Sequence, residues 1–569
     1  MDHADNVIIS EEEVSSAILN SKNSKAVGPD GLTVFHLKNL GKAGIRYLAY
    51  IFNTSLQRGI IPTVWKKSTI IALLKPNKPE EDHKSYRPVS LLCSSVKVLE
   101  RCLLSHLKTH LPVHSHQHGF RPGHLTTSAL MNLTNDALEG FNMKPPERTV
   151  VVALDLTKAF DMVNHRRMLQ DISDTTLLKG ITKWLANYLH GRQAQTSFRD
   201  EVSPFRNIHM GVPQGSIISP LLFNFYVSNA PTTPANIKLV SYADDFTVYT
   251  SGHNKEELSR RLNDYIPELI DFFENKGLAI SPTKSTVTIL TPDPSEFKHH
   301  PQIIVHGLPI PLEQNPKILG VTLDPKLKFH KHTENTYSRV RQRINILKAL
   351  AGSTWGQNKE TMIMTYKAVG RSVINYACPV WYPNCSKSQV QKLQRLQNDA
   401  IRTATGKAKV LPVADHSAML TCQYYAQCCL QSHPCHHLTE QRPIQRRKKN
   451  TLRSFTQDAI GSPTPDQLSK SEIKARISEI HTTTVAVVKS KYRNQVVLGG
   501  YPPPPIDVSE MKLDRAKRSK ITQLRSGYSF LLHSYLTGLM QQSQTNVRTA
   551  GLHHTTPYIS STAMQNLQR

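Results

Sequence analysis

Acidic residues are scarce in this chain, with 43 Asp and Glu against 70 Lys and Arg over 569 residues. The resulting net charge of +27 and pI near 9.7 exclude an ordinary near-neutral balance and point to a polyanionic partner, of which nucleic acid is the usual one. Cysteine is sparse too: eight residues without regular spacing argue against a disulfide framework and for a reducing compartment. No apolar run approaches the roughly 18 residues that a membrane helix needs, and no internal repeat points to a solenoid. The opening stretch MDHADNVIISEEEV is acidic and lacks the apolar segment of a signal peptide. The expected setting is therefore soluble and intracellular, away from membranes. What is present is ordinary for globular domains, 39% hydrophobic and 20% charged residues, in a chain long enough for several of them.

Along the chain, residues 7–60 read as helical. Ser10 with Glu13 three residues on forms a capping-box pattern ahead of Val14, Ile18 and Leu19 on one face. KAVGPDGL at 25–32 is a turn, STIIALLKP at 68–76 a strand, and SSVKVLERCLLSHLKTHL at 94–111 an amphipathic helix. From Arg148 to Tyr249 apolar strand segments alternate with helices, which predicts an α+β core. Beyond about residue 326 strands become rare and helical spacing returns, as in QVQKLQRLQNDAIRTATG. The segment 441–453 carries six basic residues and no acidic one, 499–508 is a proline-rich linker, and the last twenty or so residues have the composition of disorder.

Two stretches place carboxylates where they are costly. SYADDFTVY sets Asp244 beside Asp245 between short apolar strands, where like charges repel and dehydration is unfavourable. Upstream, Val150 to Leu154 reads as a buried strand ending at Asp155, with Phe160 and Asp161 shortly after. If that strand lies beside the hairpin, three carboxylates meet at one sheet edge. Magnesium, which takes hard oxygen ligands, relieves such repulsion. Two such ions about 3.5–4 Å apart can activate a 3′-hydroxyl and stabilise a leaving pyrophosphate. A DD pair alone is more often plain turn chemistry. A third stretch, HMGVPQGSIISPLLFNFYV, adds Gly211, Pro213 and Gly215, a backbone able to pass close to a ligand, with Gln214 between them and an apolar helix over 217–227 behind. Cys422, Cys428, Cys429, His433, Cys435, His436 and His437 crowd together, but their spacing matches no usual zinc site. Their apolar and aromatic neighbours predict a buried helix followed by a turn.

The ordered blocks YRPVSLLCSSVKVLE, HGFRPGHLTTSAL, VALDLTKAFDMVNH, GVPQGSIISPLLFNFY, LVSYADDFTVY, LAISPTKSTVTIL and KILGVTLDPKLKFHKH resemble the reverse transcriptases of non-LTR retrotransposons, of the LINE type and particularly the jockey-like group. The resemblance spans about residues 25–435 and is looser toward the end. It implies an α+β right-hand polymerase with fingers, a palm built on an antiparallel sheet, a helical thumb, and a helical, partly disordered C-terminal region. The expected divisions are an N-terminal helical extension of the fingers (1–57), fingers and palm (58–325), thumb or connection (326–440) and a basic linker with the C-terminal region (441–569).

The resemblance also implies roles. Asp155, Asp244 and Asp245 match the family's metal-binding aspartates, the first two principal and Asp245 secondary, holding two Mg2+ ions for which Mn2+ can substitute. Asp161 is then structural. Phe160 matches the position beneath the incoming sugar, where a bulky ring would clash with a 2′-hydroxyl. Gln214 would contact the incoming nucleotide, Arg87 and Arg121 would hold triphosphate or template phosphates, and Lys284 would donate a proton to pyrophosphate. Leu319 and Gly320 match the hairpin that grips the primer end. The implied partners are an RNA template, a DNA primer or target and dNTPs, in the nucleus with a cytoplasmic ribonucleoprotein stage. The endonuclease domain, RNase H segment and C-terminal Cys/His segment of some such elements are not recognisable, so target cleavage is not expected of this chain. The expected activity is RNA-directed DNA polymerisation; a catalytically silent or domesticated nucleic-acid-binding remnant is the alternative.

Overall fold

A computed structural model describes residues 7–24, 26–76, 78–199, 201–351, 357–405, 411–439, 451–460 and 467–492. The chain divides into two compact units, Met1–Ala129 with Lys144–Gln314 and Leu130–Met143 with Asn315–Arg569. Residues before 58 share the first unit's core, and the hairpin near 319 is grouped with the second unit.

The first unit opens with helices α1 (Glu11–Leu19), α2 (Val34–Lys38) and α3 (Lys42–Arg58). The Ser10–Glu13 capping box forms as the spacing predicts, satisfying backbone N–H groups at the start of α1. Strands β1 (Lys67–Leu74) and β2 (Tyr86–Leu91) pair antiparallel and lead into α4 (Ser94–His110), which buries Val96, Leu99, Leu103 and Leu107. Helix α5 (Thr126–Asn142) runs from residues of the first unit into residues grouped with the second.

Strand β3 (Arg148–Asp155) is an inner strand of a four-stranded sheet. Val150, Val151 and Val152 are all buried, so both faces are covered, and β-branched side chains suit such a strand. By area each buried valine contributes about 1.5–3 kcal/mol as an upper estimate. After α6 (His165–Ser173) and α7 (Lys179–Leu189), β4 (Arg192–Phe198), β5 (Glu201–Val202) and β6 (Arg206–Ile208) complete a second sheet in which β1 lies parallel to β4. Helix α8 (Ser219–Tyr226) is apolar on nearly every side and accordingly buried, with Pro220 in its first turn, where a missing N–H costs nothing. It is shorter than the span 217–227 expected from the sequence.

Strands β7 (Ile237–Tyr242) and β8 (Asp245–Gly252) form the predicted hairpin, α9 (Lys255–Asn275) packs on β3 and β8, and β9 (Thr286–Leu290) closes the sheet. The order is β7-β8-β3-β9, antiparallel throughout, which places β3 between the hairpin and β9. Two short strands, β10 (Ile304–Val305) and β11 (Leu308–Pro309), end the unit.

The second unit begins with a small hairpin, β12 (Lys317–Ile318) and β13 (Val321–Thr322), followed by α10 (His330–Ala349) and α11 (Lys359–Tyr366). Short helices α12 (Ser372–Asn375) and α13 (Cys378–Trp381) precede α14 (Lys387–Thr405) and α15 (Val413–Cys428). Helices α16 (Leu452–Ile460) and α17 (Lys470–Tyr492) pack against α15. Beyond residue 326 the described residues contain no strand, as the spacing predicts. The linker at 499–508, the stretch after it and most of the basic run at 441–453 lie outside the described residues. No described helix is long and apolar enough to cross a membrane.

Candidate active site

Register decides the geometry of the carboxylates. Asp155 ends β3 directly opposite Asp245, the first residue of β8, while Tyr242 pairs with Asp245 across the hairpin. Ala243 and Asp244 therefore form a two-residue turn at the same end of the sheet as Asp155. Ala243 adopts φ 57°, a left-handed conformation that costs a non-glycine residue roughly 1–2 kcal/mol.

The electrostatics follow from crowding. Asp244 is raised above the usual carboxylate range, chiefly by burial and then by the Asp155 charge, with the Arg87 guanidinium opposing. Asp245 counts as exposed by surface area, yet the surrounding protein, then Asp244 and Asp155, push it up to about 6. The Asp155 Oδ2 atom is buried and accepts no hydrogen bond. Lys284 Nζ lies 3.3 Å from it as an ion pair outside hydrogen-bonding geometry. Among the described residues no three Asp, Glu, His or Cys side chains close on a single point, these aspartates included. Magnesium does not require such a cage, since it is commonly held by one or two carboxylates with water and substrate phosphates completing its shell. A carboxylate oxygen that accepts no hydrogen bond and faces the Lys284 ammonium, beside two further carboxylates that hold protons unusually well, fits that mode of binding.

Around the carboxylates, two loops are locked together by backbone contacts. The N–H groups of Gly211 and Val212 donate to the carbonyls of Val163 and Phe160, at 2.7 and 2.8 Å. Ser90 N–H donates to the Gln214 carbonyl at 2.8 Å, and a Cβ at Gly215 would lie 2.3 Å from the Ser90 carbonyl oxygen, so only glycine fits there. Gln214 Nε2 donates to Asp161 Oδ1 at 3.0 Å, and burial raises Asp161 despite that bond. Phe160 is half-buried, stacked on Phe223 with ring centroids 4.3 Å apart and edge-on to the exposed Phe120 at 6.2 Å.

The remaining sequence candidates take varied places. Arg87 is exposed on β2, opposite Leu73. Arg121 is turned inward: its Nη1 donates to the carbonyls of His114 and Gln117 at 2.6 and 3.1 Å, and burial lowers its pKa. Leu319 and Gly320 form the β12–β13 turn with φ 44° and 84°, as a tight two-residue hairpin requires, and Tyr376 Oη donates to the Leu319 carbonyl at 2.7 Å. They belong to the second unit, whereas the aspartates belong to the first.

The chain from residue 74 to 323 matches the family model described as reverse transcriptase (RNA-dependent DNA polymerase). Those residues belong to the reverse transcriptase family. Its curated relatives include the probable RNA-directed DNA polymerase from transposon BS of Drosophila melanogaster, 30% identical over 418 residues, and the RNA-directed DNA polymerase from mobile element jockey of the same organism, 30% identical over 407. Each alignment covers 69% of this chain and 44% of the relative, so the chain spans less than half the length of these proteins. The probable RNA-directed DNA polymerase from transposon X-element is 29% identical over 402 residues, with the same coverage. A solved telomerase from Candida tropicalis, in complex with a fragment of telomeric RNA, covers 67% of this chain and 66% of its own at 11% identity. Its TM-score of 0.34 carries no weight for the fold.

Three side chains that sequence reasoning missed serve this domain. Glu100, fully buried on α4, accepts from Tyr188 Oη at 2.6 Å and from the Ile217 N–H at 2.7 Å, anchoring the loop that carries Gln214; burial raises its pKa. A glutamate on the apolar face of an amphipathic helix was the visible signal. Ser285 Oγ accepts from the Asp155 N–H at 3.2 Å. Gln117, fully buried, contacts the Ala243 backbone, and nothing local in the sequence marks it. In the second unit, Cys422 and Cys428 lie buried on α15, as the expected helix and turn require. The Cys435 thiol lies 3.3 Å from Tyr424 Oη and 3.2 Å from Asn132 Oδ1.

Proposed function

We propose that the chain is the RNA-directed DNA polymerase of a non-LTR retrotransposon, copying an RNA template from a DNA primer and dNTPs. In this reading the first unit supplies fingers and palm, and α10 to α15 supply the thumb. The carrying observation is the meeting of Asp155, Asp244 and Asp245 at one end of the sheet. Two magnesium ions held mainly by Asp155 and Asp244 would lower the pKa of the primer 3′-hydroxyl and neutralise charge on the leaving pyrophosphate. The protein's own groups do the rest. Phe160, braced on Phe223, sets its ring beneath the incoming sugar. Gln214, held by Asp161, presents its amide toward the nucleotide. Arg87 faces the phosphates, and Lys284 stands beside Asp155, ready to protonate pyrophosphate as it departs.

Primer extension on a heteropolymeric RNA template with magnesium and dNTPs tests this, run beside Asp244→Asn and the Asp244→Asn/Asp245→Asn double variant. Extension by the native chain and none by either variant supports the assignment. Full activity in the variants sinks it. Native protein that binds primer–template but extends nothing points instead to a nucleic-acid-binding remnant. The basic run at 441–453 supports residence in the nucleus, and the resemblance to non-LTR elements adds a cytoplasmic ribonucleoprotein stage to this proposal. A fluorescent fusion excluded from nuclei would reject that placement.

A further inference from the structure

The turn that carries Asp244 has a backbone problem. Ala243 is 5% exposed, and the central residues of a two-residue hairpin lie outside the strand ladder, so its N–H and carbonyl need partners from elsewhere. One side chain supplies both. Gln117 Oε1 accepts the Ala243 N–H at 2.7 Å, and its Nε2 donates to the Ala243 carbonyl at 3.1 Å. The same Oε1 accepts the Gly119 N–H at 2.8 Å, which holds the amide in place.

The segment carrying Gln117 is itself fastened. Along the outer edge of β7, His118 N–H donates to the Ser241 carbonyl at 2.8 Å and Ser241 N–H to the His116 carbonyl at 2.9 Å, a short parallel pairing. Gly119 lies so close to the turn that a Cβ there would sit 2.3 Å from the Ala243 nitrogen. Asn224 Nδ2, from the buried helix α8, donates to the Gly119 carbonyl at 2.6 Å. Arg121 ties the carbonyls of His114 and Gln117 together.

We infer that Gln117 is a positioning residue that fixes the backbone of Ala243, and through it the direction of the Asp244 carboxylate, while Arg121 and Asn224 hold the strap that carries it. A side-chain amide is suited to this because it offers an acceptor and a donor at one end without adding charge beside three carboxylates. In this role Arg121 acts from behind the site rather than on phosphates. The effect on rate rests on the polymerase reading; the effect on metal affinity does not.

The test uses the full chain with Gln117→Met, similar in size but without an amide. Mn2+ affinity is read by electron paramagnetic resonance without nucleic acid, and single-nucleotide extension gives kcat, KM for dNTP and the half-saturating Mg2+ concentration. The inference expects Mn2+ affinity to fall at least about fivefold and kcat about 10- to 100-fold, with KM and primer–template affinity within about twofold. A folded Gln117→Met protein with both Mn2+ affinity and kcat within about twofold of native overturns it. If that variant does not fold, Gln117→Asn is read by the same criteria, since it keeps an uncharged amide on a stem one carbon shorter. Native protein whose Mn2+ site disappears in Asp244→Asn but which extends no primer defeats the polymerase reading alone, and the strap is then judged on Mn2+ affinity. Absence of both an Asp244→Asn-sensitive Mn2+ site and primer extension would overturn both; with extension but no such site, the strap is judged on kcat.

Discussion

At Asp245 a proton and a metal ion compete for one carboxylate. With its pKa pushed up to about 6 by its surroundings and by Asp244 and Asp155, the metal-free protein keeps that proton well above the ordinary carboxylate range. A proton must leave before the charged form can meet a cation, so the half-saturating Mg2+ concentration should stay flat above pH 7. Below about pH 6 it should rise, by less than tenfold per unit because Asp245 is a secondary ligand; titrations of extension rate at pH 5.5 and 7.5 would check this, and equal values would contradict it. Phe160 poses a different question. Its ring is held by Phe223 from one side, which gives it a fixed edge to set against a 2′-hydroxyl. Phe160→Val should raise ribonucleotide incorporation relative to dNTP at least about tenfold, with a stability loss of about 1–3 kcal/mol from the lost ring packing. An unchanged rNTP/dNTP ratio would remove Phe160 from that role.

Among the elements, the hairpin turns at Ala243–Asp244 and Leu319–Gly320 are each held by a residue from a distant part of its unit. In the second unit the β12–β13 turn is tied to Tyr376, and the His332 ring on α10 accepts from the Thr322 N–H at 3.4 Å. His332 is 2% exposed, and burial, then Arg339 and Lys317, lower it to about 4 from an ordinary 6.5. Below pH 6.5 the unfolded chain gains a proton that the folded one refuses. Stability from this group is thus complete above pH 6.5 and is lost as pH falls toward 4, by about 3 kcal/mol at most. His332→Gln should flatten that part of the curve when urea midpoints are compared from pH 7 to 4. A native–variant difference independent of pH would show that His332 titrates normally. In the first unit, parallel reasoning explains why Glu100 tolerates complete burial: its two donors, a tyrosine hydroxyl and a loop N–H, satisfy a group that would otherwise be costly to dehydrate.

For the whole molecule the dominant fact is charge. A surplus of 27 positive charges should make binding to nucleic acid steeply salt-dependent, because each neutralised phosphate releases counterions. With six to ten phosphate contacts, affinity for an RNA–DNA primer–template should fall about 10³- to 10⁵-fold between 50 and 200 mM salt. Fluorescence anisotropy measures this directly, and a slope near zero would mean that the charge serves something else. The division into two units puts the three aspartates in one and the Leu319–Gly320 hairpin in the other. Because the chain spans less than half of its curated relatives, activities that depend on the rest of such proteins are not assigned to it.

Much of this was legible in the sequence, because the signals are local. Three adjacent valines running into an aspartate mark a strand with a carboxylate at its end, a serine three residues before a glutamate marks a helix start, and two aspartates between apolar runs mark a turn worth its electrostatic cost. Together with the ordered blocks around them, these determined the family, the order of elements and the three carboxylates. Tertiary structure alone decided which residues support them. Strand register set Asp155 against Asp245, and close packing made glycine necessary at 119 and 215. Long-range hydrogen bonds recruited Gln117 and Glu100, while the half-buried Arg121 turned its guanidinium onto the carbonyls of its own loop. The physical reason is that these roles arise from unsatisfied backbone groups, which come into being only when distant segments exclude water from one another.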